Sequence, residues 1–575
     1  MNIKGIGASK GIGIGKAVVL KAAEDKGKFV DKRILESEIE KETDRFNKAV
    51  ADTAKYYDEI IVKARGVLKE QEIQVFEAYK LLLNDPILMD MIADFIKNEL
   101  LCAEGSLIKA VEQVKSMFLA LNDEYMRQRA EDIENVGKNI FMSLTGNMPA
   151  DLSNLYEDSI IVAEDLSPAD TVSLDRRHVK GFAVEKGGVT SHTAIIARTM
   201  EIPALVGCGS ELKKINNGDT LIVDGIKGVL IPNPEPDVLK EYLDLQNEYN
   251  RQVEKIKSLK DEPSITLDGR KVLLAGNIAT PEEANEVLSR GGEGIGLFRT
   301  EFLYLNRDNL PSEDEQFEAY RKVAEVMKDR PCIIRTLDIG GDKQSALLNI
   351  PKEENPFLGY RAIRICLTER DIFKTQLRAI LRASAFGNLR VMFPMISCIE
   401  ELREAKAVLK EAMSELDERN IQYNKDIEVG IMIEVPSAAI SADILAKEAD
   451  FFSIGTNDLC QYTLAVDRMN EKITALYNPL NIGVLRLIKN VIDAAHERGI
   501  EVGMCGEMAS NPEYAVLLIG LGLDELSMVP ASIPYVKQAV RNISFERAAN
   551  IAKTALSLGE TDKIINLLKE ESNAY

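Results

Sequence analysis

The chain has 575 residues, 45% of them apolar and 28% charged, with 71 basic against 92 acidic side chains for a formal net charge of −21. That length exceeds what one hydrophobic core serves, so about two to four domains are expected. The negative field argues against a nucleic-acid partner and favours a basic protein partner. Apolar runs such as Tyr514 to Leu523 are too short to span a bilayer, and the opening MNIKGIGASKG lacks the apolar centre of a signal peptide. Seven scattered cysteines without a CxxC suit a reducing cytoplasm, with neither a disulfide framework nor a zinc site.

In chain order, GIGIGKAVVLK reads as a turn followed by a short strand. From Asp31 to Asn147 the texture becomes helical: Leu35, Ile39, Phe46, Val50, Tyr57 and Ile61 recur at helical spacing, and further helices are predicted over 70–83 and from Glu131. This block is expected to be an antiparallel helical bundle. After Pro149 short strands return at SIIVAED, VKGFAVEK, TLIVDG and GVLIPN, predicting a compact β/α domain whose first strand is the amino-terminal one, the helical block being inserted between. A charged helix from Pro236 to Lys260 reads as a linker. Beyond it, apolar strand-like runs end near Asn277, Arg299, Asp338, Pro394, Glu434, Gly455, Gly506 and Met528, with helices such as PEEANEVLSRGG between them. Eight strands alternating with helices predict a closed (β/α)8, TIM-like barrel, an open doubly wound sheet being the alternative.

The carboxyl ends of barrel strands are where chemistry collects. Here they carry Arg299-Thr300-Glu301, Arg335-Thr336-Leu337-Asp338, Glu434, Asn457-Asp458 and Cys505-Gly506-Glu507. Any one of these is an ordinary strand-end residue, but together they are not. Guanidinium forks match phosphate and carboxylate oxygens, so Arg299, Arg335, Arg361 and Arg468 predict a small polyanionic substrate, with Arg364 expected to be a surface ion-pair partner. Glu434 and Asp458, at neighbouring strand ends without His or thiolate company, suit Mg2+ better than zinc; a hydrogen-bonded structural carboxylate is the alternative for each.

In GGVTSHTAIIARTM, one of only three histidines, His192, opens a helical run behind the Gly187-Gly188 turn. The helix dipole there favours neutral, nucleophilic imidazole and stabilises a phosphate placed on it. A cap-region histidine with a structural hydrogen bond fits the same spacing equally well.

The segment GGVTSHTAIIAR resembles the phosphohistidine segment of the phosphoenolpyruvate-utilising enzymes. GIGLFRTEFLY, RTLDIGGDK, EENPFLGYRAIR, VMFPMIS, IMIEVPSAA, FFSIGTNDLCQYTLAVDR and GMCGEMA resemble the barrel of that family, in the same order. No ATP-binding domain accompanies them, and the helical block looks like the carrier-docking domain of the enzyme I members of the sugar phosphotransferase system. The resemblance implies a discontinuous phosphohistidine swivelling domain (1–21 and 148–232) and a helical domain (22–147) that binds the small histidine carrier protein HPr. A linker (233–260) and a phosphoenolpyruvate-binding barrel (261–575) that forms a homodimer follow. It implies that His192 accepts the phosphoryl group, and that Arg299, Arg335, Asn457 and Arg468 bind the phosphate end of phosphoenolpyruvate with Arg361 and Lys343 nearby. Glu434 and Asp458 would hold Mg2+, and Cys505 would supply a proton to release pyruvate. Against the family pattern, Val189, Lys186, Tyr79 and the Asn481-Ile482-Gly483 turn are departures that bear on carrier affinity and loop geometry. Two other classes fit parts of the sequence: a barrel lyase or aldolase, which leaves His192 and the bundle unexplained, and a scaffold protein without turnover.

Overall fold

The computed structural model describes every residue except 1, 21–28, 30, 65–69, 121–123, 147–154, 167–173, 175–176, 189–190, 306, 308, 342–345, 349, 352, 471 and 573–575. The chain forms two compact units, Met1–Gln252 and Val253–Tyr575.

The first unit is built on an eight-stranded sheet: β1 (Ile3–Lys4), β2 (Ile6–Ser9), β3 (Ile12–Val19), β4 (Ser159–Ala163), β5 (Val179–Val184), β6 (Ala204–Val206), β7 (Thr220–Asp224) and β8 (Val229–Pro232), in the order β1-β8-β7-β3-β4-β5-β6-β2. The amino-terminal β3 lies inside this sheet, antiparallel to β7 and parallel to β4. Among the described residues, five α-helices stand in sequence between those paired strands: α1 (Ile39–Ala64), α2 (Glu70–Leu82), α3 (Pro86–Asn98), α4 (Ala103–Ala120) and α5 (Glu124–Leu144). They close over their own core of Tyr57, Phe76, Ile92, Phe95 and Phe141. Local chemistry fixes their ends: Asp85 accepts from the N–H groups of Ile87 and Leu88 at 3.0 and 3.1 Å ahead of Pro86, as an N-cap before an N1 proline should. Tyr79 is buried in this core, its ring 5.9 Å from that of Tyr57 and its hydroxyl accepting from Asn135 at 3.2 Å.

The second unit is a closed, all-parallel barrel of β9 (Leu273–Ile278), β10 (Gly294–Phe298), β11 (Cys332–Arg335), β12 (Leu389–Phe393), β13 (Val429–Ile433), β14 (Phe451–Ile454), β15 (Glu501–Met504) and β16 (Glu525–Met528). Closure by the pairing of β16 with β9 excludes the open sheet. The strands are buried on both faces, which is why they read as continuous apolar runs. Outward side chains join the surrounding helices in one large core, while Leu297, Ile333, Met392, Met432, Phe451 and Cys505 pack together as a separate cluster. The flagged turn at Asn481 is a helix start: its side chain accepts from Gly483 N–H at 2.8 Å and caps Ile482–Arg498. All seven cysteines are free thiols. Among the described residues no helix is long and apolar enough to cross a membrane.

Candidate active site

At the carboxyl ends of the barrel strands, side chains distant in sequence converge into a buried network of charges. Arg335, ending β11, is 6% exposed. Its guanidinium pairs with Glu301 from the turn after β10 and, at 3.0 Å, with Asp338. The other Asp338 oxygen accepts from Arg361 at 2.9 Å, and the same Arg361 nitrogen reaches Asp458 at 3.3 Å. Arg361 also donates to Tyr462 Oη at 3.2 Å, and Tyr462 donates to the carbonyl of Phe357 at 2.5 Å. Burial works against both guanidinium charges, but Glu301, Asp338 and Glu434 around Arg335, and Asp338, Asp458 and Glu434 around Arg361, hold them above the ordinary arginine range. The two arginines are therefore fixed, permanent cations facing one shared carboxylate.

The carboxylates have the opposite difficulty. Glu434, directly after β13, is 2% exposed and accepts from Met395 N–H at 2.7 Å. Burial, with the nearby Asp458 and Asp338 charges, pushes its carboxyl up to about 8. Asp458 lies in the first turn of the helix Thr456–Leu464, and its Oδ1 is buried without a hydrogen-bond partner. A buried lone oxygen on a carboxylate is a costly arrangement that a cation relieves.

Around this network stand the remaining predicted groups. Arg299 follows β10 and is exposed. Asn457 exchanges two hydrogen bonds with Glu507, from Nδ2 to Oε1 and from the Glu507 N–H to Oδ1, both at 3.2 Å. Arg468 is half-buried, its backbone N–H donating to Gln461 at 3.1 Å. Cys505 directly follows β15 with 4% exposure, its thiol 3.9 Å from the Ile454 carbonyl. Burial pushes that thiol up to about 11 against the pull of Ser453, Arg335 and Arg299, so at neutral pH it holds its proton. Lys343 lies outside the described residues.

Arg364, which the sequence suggested as a surface ion-pair partner, donates to the carbonyls of Leu358 and Gly359 at 3.0 and 2.8 Å, and among the described residues it forms no ion pair. Its place after a short loop turns it back on that loop's backbone. Sequence reasoning passed over Tyr462, whose signal was present: it stands four residues after Asp458, on the same helix face. It also left Asp338 and Glu301 without roles, although both stood in the strand-end motifs.

In the first unit, the eight-residue helix α6 (His192–Thr199) begins at His192; the side chain of His192 is among those the structure does not describe. Its neighbours are placed firmly. Ser191 Oγ accepts from Ala194 N–H at 3.3 Å, and buried Thr193 donates to Asp165 at 3.0 Å, tying the helix start to the segment after β4. Gly187 has φ +93°, and a Cβ there would stand 3.0 Å from Ser191 Oγ, so the turn needs glycine. Lys186 pairs with Glu164 at 2.7 Å, and Val189 lies outside the described residues.

Comparison with known proteins gives three family matches. One described as "PEP-utilising enzyme, PEP-binding domain" covers residues 253–545. "PEP-utilising enzyme, N-terminal" covers 4–129, and "PEP-utilising enzyme, mobile domain" covers 155–228. The phosphoenolpyruvate-protein phosphotransferase of Bacillus sp. (strain S) is 47% identical over 567 residues, 99% of this chain and 97% of that protein. The protein of the same name from Bacillus subtilis (strain 168) is 47% identical over 568 residues, 99% of each chain. An NMR solution structure of Enzyme I (nEIt) is 37% identical and covers 43% of this chain and 99% of its own, with a TM-score of 0.38.

Proposed function

The chain belongs to the PEP-utilising enzyme family, and from that premise we propose that it takes the phosphoryl group of phosphoenolpyruvate onto His192 and passes it to a histidine of HPr. Its activity is that of a phosphoenolpyruvate-dependent protein phosphotransferase, since full-length relatives at 47% identity carry that name. The observation that carries the residue-level reading is the Arg335–Asp338–Arg361 network, two buried cations aligned at the barrel mouth.

In this reading Arg299, Arg335, Asn457 and Arg468 receive the phosphate end of the substrate, with Arg361 and Lys343 beside them. Because Arg335 and Arg361 are held by carboxylates before substrate arrives, little reorganisation remains to be done during the reaction. His192 attacks phosphorus in line, the bond to the enol oxygen breaks, and Cys505 delivers its proton to the methylene carbon to give pyruvate. The family needs a divalent metal, and the unpartnered Asp458 Oδ1 beside Glu434 fits one; we assign Mg2+, held by Glu434, Asp458 and substrate oxygens. When bound, that ion would spread the negative charge of phosphate and enolate. Among the described residues no group of three or more His, Cys, Asp and Glu side chains is set to hold a metal alone. The helical segment 22–147 is assigned to HPr docking, 1–21 with 148–232 to carrying His192, 233–260 to the linker, and 261–575 to substrate binding and to a homodimer contact in the cytoplasm.

Exchange of labelled pyruvate into phosphoenolpyruvate tests this chemistry, because it needs reversible phosphorylation of the protein and no carrier. Wild type should exchange in the presence of Mg2+. Glu434→Gln and Asp458→Asn should each raise the Mg2+ needed for half-maximal exchange by about tenfold or more, since each removes an anionic ligand. An unchanged titration in both variants would remove these residues from the metal site.

A further inference from the structure

In the helix Arg370–Ala383 one side chain breaks the apolar pattern. Phe373, Leu377, Ile380 and Leu381 join the large core, and Gln376 stands on the same buried stripe, three residues after Phe373 and four before Ile380, at 1% exposure. A glutamine there must find partners for its oxygen and for two N–H donors, or the fold loses stability. Its partners are the turns after β10 and β11, which carry Arg299, Glu301, Arg335 and Asp338, and one buried tyrosine.

Gln376 Oε1 accepts from the Leu337 N–H at 2.9 Å. An N–H can only donate, so this contact fixes the amide's orientation and turns Nε2 toward Thr300 Oγ1 at 3.1 Å and Tyr320 Oη at 3.2 Å. Each hydroxyl accepts from the amide and passes its own proton onward: Thr300 donates to the Arg335 carbonyl at 3.0 Å, and Tyr320 donates to Gln316 Oε1 at 3.1 Å. Tyr304, just after the turn Glu301–Leu303, donates to the same Gln316 oxygen at 3.0 Å. Thr300, Tyr304, Gln316 and Tyr320 are each no more than 1% exposed. Every member is in hydrogen-bond contact with the next.

Part of this network is a closed ring. It runs from Thr300 to the Arg335 carbonyl, along the backbone to the Leu337 N–H, and through the Gln376 amide back to Thr300. The pairing of β10 with β11 ends at Phe298 and Ile334, before either arginine. The ring therefore joins the two chains just past the point where strand pairing stops.

We propose that Gln376 is a positioning residue for phosphoenolpyruvate: with Thr300 it locks the turn bearing Arg299 to the turn bearing Arg335, so that both guanidinium groups keep the spacing at which they receive the substrate's phosphate. This rests on the reading of Arg299 and Arg335 as substrate groups. Gln376 acts through the backbone of those turns and is not itself a catalytic residue.

The test is steady-state turnover of phosphoenolpyruvate with Mg2+ and HPr, well below each variant's melting temperature. Gln376→Leu suits the apolar stripe, and Thr300→Val keeps the side chain's shape without its hydroxyl. Each should raise the KM for phosphoenolpyruvate about tenfold or more, with kcat falling less. Thr300→Ser, which keeps the hydroxyl, should stay within about twofold of wild type. Phosphoryl transfer from phosphorylated HPr to His192 uses no barrel group in this account and should keep its wild-type rate in all three. A ring that serves stability alone predicts lower melting temperatures and an unchanged KM, so a wild-type KM in either Gln376→Leu or Thr300→Val would overturn the proposal. A Thr300→Ser variant as impaired as Thr300→Val would overturn it too. So would a loss of transfer from HPr that matches the loss of phosphoenolpyruvate turnover, which marks general misfolding. A wild-type KM in Arg299→Ala would overturn the substrate reading itself, a result separate from these.

Discussion

His192→Ala should lose pyruvate exchange down to background while binding phosphoenolpyruvate and Mg2+ within about twofold of wild type. Without the imidazole no nucleophile accepts the phosphoryl group, and the exchange reaction has no covalent intermediate through which to run. The arginines, carboxylates and thiol assigned to the substrate all lie in the second unit, so ligand affinity measured by calorimetry should survive. The fold should survive too: the contacts that start α6, Ser191 to Ala194 and Thr193 to Asp165, do not involve the histidine side chain, and alanine is a good helix former. The variant should melt within about 2 °C of wild type. Retained exchange would remove His192 from the chemistry; a collapse in affinity or melting temperature would mark a structural histidine instead.

Cys505→Ala should separate the two halves of the reaction. Phosphoryl transfer precedes protonation of the enolate, so His192 should still be phosphorylated at the expense of phosphoenolpyruvate. Pyruvate formation and steady turnover should fall by about a hundredfold or more, the scale of a lost general acid. Transfer between phosphorylated HPr and His192 should be unaffected, because it uses no barrel group in this account. The buried position alone does not decide between a proton donor and an inert thiol, since most free cysteines are buried. What favours the donor is that the thiol directly follows a barrel strand, belongs to the interior cluster and is kept protonated by its surroundings. An inert cysteine predicts near-normal turnover, or a loss of stability that lowers binding and turnover together. Rapid-quench comparison of phosphohistidine and pyruvate distinguishes these outcomes.

The barrel was legible in the sequence because parallel strands buried on both faces leave uninterrupted apolar runs, and each run ends where polar residues begin. The strand-end rule therefore brought Arg335, Glu434, Asp458 and Cys505 forward together. Their partners were harder to read. Asp338 joins Arg335 across three residues but meets Arg361 only after a loop folds back, and Arg361 meets Asp458 only because the barrel places the two strand-end loops side by side. The link from Tyr462 to Phe357 likewise exists only once the barrel has closed. Tyr79 stood out as a departure from the family pattern, and in the structure it is an aromatic core residue between Tyr57 and Phe76. A helical core position accepts such a ring when its hydroxyl finds a partner, here Asn135.

The most direct measurement of the central claim is the site and chemistry of the phosphoryl label. The protein is incubated with phosphoenolpyruvate labelled in its phosphate and with Mg2+, digested at alkaline pH, and its peptides are mapped. The account predicts one labelled peptide, containing His192, whose phosphate is stable in alkali, lost in acid and transferable to HPr. Label on any other residue, an acid-stable phosphate, or turnover of phosphoenolpyruvate with no label on the protein would contradict it.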